Sequence, residues 1–476
     1  MKNYKEIHKK KIGIFLNYVA ASPAVELYCS IIEDLLANKN EVHVYYCNSG
    51  FQSCLFNPIK SSILCKTCKL NVKYLIDQFP EIHAHKIDED DLMEKMNRNI
   101  DSEIKADLLI SAMSSVASLT KAVDEDDLTD FWKSTLEKMK QDAVELYYFL
   151  KKEIEFQKFN YFVCFNGRFF DSKPVIKAAQ KTNISFILLE VKKSSHPLVF
   201  VDELIHSIEA NTKRAIEYFS LDPLLGHKRA NIFFSKKIFN EETGDPVYTR
   251  NQKRGLLPNY LDPKRRLVVV YPTTDDEYKF IGKEWDGIVP EDQVAEIKSL
   301  CSGLEQHQVV VKMHPNQADM SKKLIARYLK IEKLHKNCHV ELPQSKVDTY
   351  ELMKMSDVVI NFASTIGVEA SYYGKKVVNI GDTNFSRIGV VNTVYSGAEA
   401  AALIVNNRVQ VFEKTPAAIW GNYISGYSSG LASFGRNSRG RYLFRNRVTK
   451  ISVFWRFFGL FPKVLIRSRK NRMRHL

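Results

Sequence analysis

Lys312-Met313-His314-Pro315-Asn316 sets a cation, an imidazole and an amide within five residues, at the end of the apolar run HQVVVKMHP (307–315). About fifty residues on, Ser364-Thr365-x-Gly367 leads from DVVINFAS (357–364) into a helical stretch whose first turn carries Glu369. Hydroxyls and unpaired backbone N–H groups at a helix start suit a phosphate. Gly367 lets the backbone approach a ligand closely, and a carboxylate such as Glu369 can accept ribose hydroxyls. Each feature alone has an ordinary reading, an N-cap with a capping acid or a structural histidine. At the ends of two strands they point together to nucleotide binding, because open α/β sheets hold ligands outside the C-terminal ends of their strands.

Thr273-Thr274-Asp275-Asp276-Glu277 follows the apolar run RLVVVYP (266–272), so Asp275, Asp276 and Glu277 are candidates for a catalytic base, a nucleophile or an acceptor contact. The alternative is a solvated acidic loop. In the N-terminal half, Asn166 and Arg168 end YFVCFNGR (161–168) and Glu190 ends ISFILLE (184–190). The planar fork of an arginine suits an anionic sugar or phosphate, and Glu190 could serve as a base. Arg168 and Glu190 could equally pair with each other. Cys47, Cys54, Cys65 and Cys68 fall within 22 residues, in a stretch read as a loop. The terminal C-x-x-C with two upstream cysteines is compatible with a structural zinc, with an iron–sulfur cluster, or with four free thiols.

The elements that position these groups alternate. KKIGIFL (10–16), a helix from Ala24 to about Leu36 and EVHVYYC (41–47) open the chain as β-loop-α-β. Near-continuous apolar strands imply a parallel sheet covered on both faces. Residues 88–157 are Met- and Leu-rich with helical spacing and predict a helical insertion. Strands at 161–168 and 184–190 follow, with helices near 173–182 and 202–219. A polar stretch with three prolines, 239–264, is the expected linker. Beyond it strands at 266–272, 307–315, 339–343, 357–364 and 375–381 alternate with helices. The expected fold is two Rossmann-like doubly wound α/β domains facing a cleft, 1–238 and 265–435, followed by a tail, 436–476.

The 476 residues carry a formal net charge of +14, yet residues 436–476 alone hold thirteen Lys and Arg and no acid. The body is neutral and the basicity belongs to the tail. Its segment ISVFWRFFGLFPKVLI (451–466) is too short and too charged to span a bilayer. Aromatics flanked by basic clusters suit an anionic membrane surface. The rival, RNA, is disfavoured by the neutral body and by the lack of a nucleic-acid-binding motif. No signal peptide or spanning segment is expected, and eight cysteines are ordinary for a reducing compartment.

K-x-H-P followed by S-D-x-x-I-x-x-x-S-T-x-G-x-E-A-x-x-x-G-K-x-V resembles the nucleotide-binding half of GT-B glycosyltransferases, and more narrowly the capsule polysaccharide biosynthesis proteins with their Kdo-transferase-like group. CDP-glycerol transferases, sialyltransferases and sugar-nucleotide 2-epimerases share its outline. The resemblance covers about 266–382 and is weaker over Asn166-Gly167-Arg168 and Glu190. It implies a metal-independent glycosyltransferase of bacterial surface polysaccharide, GT-B in fold, moving a sugar such as Kdo from a nucleotide-sugar donor to a lipid-linked glycan. Lys312, His314, Asn316, Ser364, Thr365, Gly367 and Glu369 would hold the donor, and Asn166 and Arg168 the acceptor. The protein would sit peripherally on the inner face of the cytoplasmic membrane. An epimerase of the same architecture and a non-catalytic assembly scaffold are the alternatives.

Overall fold

The computed structural model describes the chain except residues 1–2, 21, 94–99, 193–195, 240, 242–248, 275–277, 283–286, 439–440 and 448–476. The described residues divide into two units. One takes in residues up to Ile205, the short Phe280–Lys283 and the segment from Ser428; the other comprises His206–Lys279 and Glu284–Tyr427.

The first unit holds strands β1 (Lys11–Phe15), β2 (Glu41–Cys47), β3 (His83–Ile87), β4 (Tyr161–Phe165), β5 (Ser185–Val191) and β6 (Pro197–Val201), in the order β3-β2-β1-β4-β5-β6. Every pairing is parallel except β5 with β6. This is the Rossmann strand order. Buried β-branched and aromatic residues fill the central strands because helices cover the sheet. Gly13 of β1 makes room for the neighbouring strand: a Cβ there would meet the Phe162 ring at 2.3 Å.

Among the described residues six helices accompany this sheet: α1 (Ala24–Ala37), α2 (Ser62–Gln78), α3 (Glu89–Met93), α4 (Ser102–Thr120), α5 (Asp130–Gln157) and α6 (Lys173–Lys181). The expected helical insertion is α3–α5. Asp101 caps α4 by accepting from Glu103 and Ile104 N–H. Ser102–Asp127 is long and apolar enough to cross a membrane by composition, but α4 packs on α5 and α6 as a core helix does.

The second unit repeats the plan. Strands β7 (Leu267–Tyr271), β8 (Gln308–Lys312), β9 (Cys338–Glu341), β10 (Val358–Asn361), β11 (Lys376–Ile380) and β12 (Asn392–Val394) run all parallel in the order β12-β11-β10-β7-β8-β9. Counted from its own first strand, this is the same Rossmann order. Its helices are α7 (Ile208–Leu221), α8 (Pro223–Ile238), α9 (Gln293–Gly303), α10 (Lys322–Leu334), α11 (Thr349–Met355), α12 (Ile366–Tyr372), α13 (Gly397–Val405) and α14 (Lys414–Gly426).

Three expectations need correction. The division falls after Ile205 and not at 239–264, because α7 and α8 pack on α14. Phe219, Ala230, Phe233 and Phe234 belong to the second unit's core, and the Phe234 ring stacks on Tyr372 at 4.2 Å. The tail does not begin at 436. Phe434–Arg436 (β13) and Tyr442–Phe444 (β14) form an antiparallel hairpin. Phe444 enters the first unit's core, and Arg445 pairs with Glu33 of α1 at 2.5 Å. The cysteine stretch is not wholly a loop either, since α2 starts at Ser62 and carries Cys65 and Cys68.

Candidate functional site

In the second unit a cavity of about 590 Å³ opens where β7, β10 and β11 end. Thr273 lines it just beyond β7, Phe362 and Ala363 beyond β10, and Ile380 at the end of β11. Residues Val289 to Gln293 form a wall; Lys279 and Arg327 line the cavity with Glu291 and Asp292, and Arg327 is paired with Asp292. That wall is tied to β11: Asp382 Oδ2 accepts from Ile288 N–H at 2.9 Å, and the Asp382 N–H donates to Ile288 O at 2.6 Å. Ala363 has φ 61°, in the left-handed region. A non-glycine residue held there on a cavity wall is the kind of stored strain found at ligand sites.

The K-M-H-P-N turn stands on the same strand-end edge. His314 caps a 3-10 turn, Pro315–Asp319, through its own ring: Asn316 N–H donates to Nδ1 at 3.1 Å. Accepting at Nδ1 leaves the ring proton on Nε2. Gln317, fully buried, accepts from His314 N–H at 2.7 Å and donates to Thr273 O at 3.2 Å, so it ties the turn to the cavity wall.

Lys312 is the unusual member. It is 2 % exposed, and its Nζ has no hydrogen-bond partner among the described residues. Burial lowers its ammonium from 10.5 to about 8, and Glu341 opposes that only partly. The Glu341 oxygens are already engaged by Tyr260 and Ser345. An unpaired buried cation is costly, and an anion seated beside it relieves that cost.

Ser364 is half-buried and Thr365 exposed, at the start of α12, which is only seven residues long. Ser364 N–H donates to Asn361 Oδ1 at 3.0 Å, and the Asn361 amide donates to Asn379 Oδ1 at 2.5 Å. This fully buried asparagine pair fixes the turn between β10 and α12. Gly367 does allow a close approach, but to protein: a Cβ would meet Asn361 Nδ2 at 2.5 Å. Glu369 is 3 % exposed and accepts from Tyr350 OH at 2.8 Å, so it lies behind the turn and does not line the cavity.

At the strand ends of the first unit, Asn166 (φ 68°) and Gly167 (φ 87°) make a left-handed turn after β4. Asn166 Nδ2 donates to Glu190 Oε2 at 2.6 Å, and its Oδ1 accepts from Arg168 N–H. Glu190 therefore pairs with the Asn166 amide, and the Arg168 guanidinium lies over the Phe169 ring at 4.7 Å. Burial raises the Glu190 carboxyl, while the Val191 N–H, Asn166 and Arg168 temper the shift. Asp171, 8 % exposed, is pushed up to about 7 by burial. Asp275, Asp276 and Glu277 lie outside the described residues.

Residues 291–401 match the family model described as "Capsule polysaccharide biosynthesis protein". The similarity to that family covers this stretch of the chain. The stretch contains the K-M-H-P-N turn, the Asn361–Asn379 pair and the Ser364-Thr365 turn. No curated protein matches the sequence. Among solved structures, the chain is similar to the KpsC beta-Kdo 2,4-transferase of Thermosulfurimonas dismutans at 14% identity, over 56% of this chain and 79% of that one, with a TM-score of 0.35. It is also similar to a UDP-N-acetylglucosamine 2-epimerase of Listeria monocytogenes, at 10% identity over 87% and 94% with a TM-score of 0.28. A third is the calicheamicin glycosyltransferase CalG4, at 8% identity over 90% and 96% with a TM-score of 0.28. These likenesses are too distant to assign an activity.

Within the matched segment, the side chains that sequence reasoning missed are Gln317, Asn361 and Asn379. Their roles come from long-range contacts that spacing does not display. The four clustered cysteines are free. Burial is the main reason that the thiols of Cys54 and Cys68 are raised, with the neighbouring sulfurs adding to it. No three of the four sulfurs come within 4.8 Å of one another. Cys47 ends β2, Cys65 and Cys68 sit one turn apart on α2, and the sulfurs of Cys54, Cys47 and Cys65 all act on the Cys68 thiol, so the four stand near one another.

Proposed function

We propose that the protein is a glycosyltransferase of surface polysaccharide synthesis that takes a nucleotide-activated sugar in its second unit. The observation that carries this reading is Lys312: a buried ammonium at a strand end, with no hydrogen-bond partner among the described residues, next to the turn that carries His314. Lys312 would neutralise, and His314 would hydrogen-bond, the phosphate charge that grows as the glycosidic bond to the nucleotide breaks. Asn316, Ser364 and Thr365 would orient the phosphates. A nucleotide leaving group stabilised by a lysine ammonium and hydrogen-bond donors needs no metal for this step. In the first unit Arg168 and Asn166 would orient the acceptor, and Glu190, whose carboxyl is raised by burial, would take the proton of the attacking hydroxyl. Asp275, Asp276 and Glu277 remain candidates for that task.

The finer reading is a CMP-sugar donor such as CMP-Kdo, a lipid-linked glycan acceptor, and a peripheral position on the inner face of the cytoplasmic membrane. It rests on the sequence resemblance and on the basic, aromatic residues beyond Arg447. The test incubates the purified chain with a donor panel and a lipid-linked acceptor. Transfer from one donor supports the proposal. Isomerisation of the donor without transfer would make the protein an epimerase, and binding without either reaction a scaffold.

A further inference from the structure

A second cluster of chemically capable side chains lies at the other end of the first unit's sheet. Glu41 opens β2 and His43 stands two residues on, so strand periodicity puts both on one face. His83 opens the edge strand β3 and is the register partner of His43 across the parallel pair, while His85 is the partner of Tyr45. Two strands thus bring a carboxylate and three imidazoles to one face at the N-terminal edge. Ligands of such sheets sit at the opposite, C-terminal edge. Nothing in the reading of transfer chemistry uses this cluster.

Its geometry is that of a coordination site. One ligand atom each from Glu41, His43 and His83 lie within 4.8 Å of one another. His43 Nε2 is 2.7 Å from Glu41 Oε1, and the His43 and His83 rings stack with centroids 4.5 Å apart. His43 is 5 % exposed, whereas Glu41 and His83 reach solvent, so the site has a buried base and an open mouth. The other nitrogen of His43, Nδ1, lies 3.0 Å from His85 Nε2. A ligand histidine characteristically donates its second N–H to such a partner, which fixes its tautomer and its orientation. The His85 ring is itself stacked on Tyr45 at 4.7 Å, and Tyr45 OH donates to Glu153.

We propose that Glu41, His43 and His83 bind a divalent transition-metal cation such as zinc, with His85 as the outer partner of His43. Two imidazoles and a carboxylate suit zinc, cobalt or nickel and leave at least one coordination position for water. The cation ties edge strand β3 to β2. Lys11 is the built-in competitor, its Nζ 3.2 Å from Glu41 Oε1. Lys11 also donates to Gln157 Oε1 at 3.0 Å, a partner it keeps when the cation takes Glu41.

The test uses tag-free full-length protein, stripped with a chelator and titrated with Co²⁺ by absorption and with Zn²⁺ by calorimetry. One equivalent should bind without thiolate-to-cobalt charge-transfer absorption, and should raise the midpoint of chemical unfolding. His83→Gln and Glu41→Gln alter exposed side chains, and each should weaken binding by about tenfold or more. His85→Phe keeps the ring stack but removes the hydrogen bond to His43, and should weaken binding by about tenfold. Lys11→Met should tighten it. Absence of binding to the wild type, affinity undiminished in His83→Gln or Glu41→Gln, or a thiolate band that places the metal on cysteines would overturn the proposal.

Discussion

Replacing Lys312 with methionine should make the protein more stable and a poorer nucleotide binder. Lys312 is 2 % exposed, and its ammonium is lowered from 10.5 to about 8. Each tenfold is worth about 1.4 kcal/mol, so the buried charge costs the folded state roughly 3 kcal/mol near neutral pH. The sign follows from proton binding. Below about pH 8 both folded and unfolded chains hold the proton, and the cost is full. As pH rises from about 8 towards 10.5 the folded chain gives up its proton first, so stability climbs and the cost fades. Methionine fills a similar volume without charge and removes the cost. Urea unfolding should therefore show Lys312→Met stabilised by about 2–3 kcal/mol near neutral pH, and the gap from wild type should close above about pH 10. A charge-assisted hydrogen bond to phosphate contributes about 1.5–3 kcal/mol, so nucleotide affinity by calorimetry should fall roughly 10- to 100-fold. Near pH 8, wild-type binding should take up a proton, read as a dependence of the heat on buffer ionisation enthalpy, and the variant should show none. A Lys312→Met protein that is less stable at neutral pH, or that binds nucleotide as well as wild type, would refute the reasoning.

Asp171 carries a related prediction with the opposite proton sign. Its carboxyl is raised to about 7 from 3.8, so its favourable state is protonated, and stability is lost as pH rises through about 7. Asp171→Asn should match wild type below about pH 4 and exceed it by a few kcal/mol at about pH 8 in urea unfolding. Glu190→Gln should leave donor binding intact and lower the transfer rate by about 10²-fold or more in single-turnover assays; a change of only a few fold moves the base to Asp275, Asp276 or Glu277. Gly367→Ala should cost about 1–3 kcal/mol in urea unfolding, because the new methyl group meets the Asn361 amide at 2.5 Å; a neutral result would mean that the asparagine pair yields. Truncation after Arg447 should abolish sedimentation with anionic liposomes and leave the melting curve unchanged, since the hairpin is retained; cosedimentation equal to the full chain would exclude the tail as the membrane element.

Much of the architecture was legible because buried parallel strands write themselves as unbroken apolar runs. KIGIF, LVVVY and QVVVK become β1, β7 and β8, and the turn after QVVVK stands at the strand-end edge. Edge strands were harder to see. HAHKI is polar because β3 lies at the rim of the sheet, and PLVFV starts with proline and returns antiparallel as β6. The cysteine spacing of 47–68 overlaps and masks the helical pattern of 62–78. The proline-rich stretch at 239–264 looked like a boundary, whereas the division follows where the faces of α7 and α8 pack. In the site, the turn motifs could be named from sequence, but Glu369 turned towards Tyr350, and the Asn361–Asn379 pair joins residues on separate strands.

The β13–β14 hairpin bears on the order in which the protein can be completed. A ribosome releases the chain from its N-terminus, so β1 to β6 emerge well before the second unit. The face of α1 that receives Phe444, Ser433 and Arg445 must nevertheless wait until the chain beyond the second unit has been made. Of the two units, the one begun earlier is thus completed later, and a nascent chain stalled before the hairpin exposes an apolar face on α1, a surface for chaperones or for self-association.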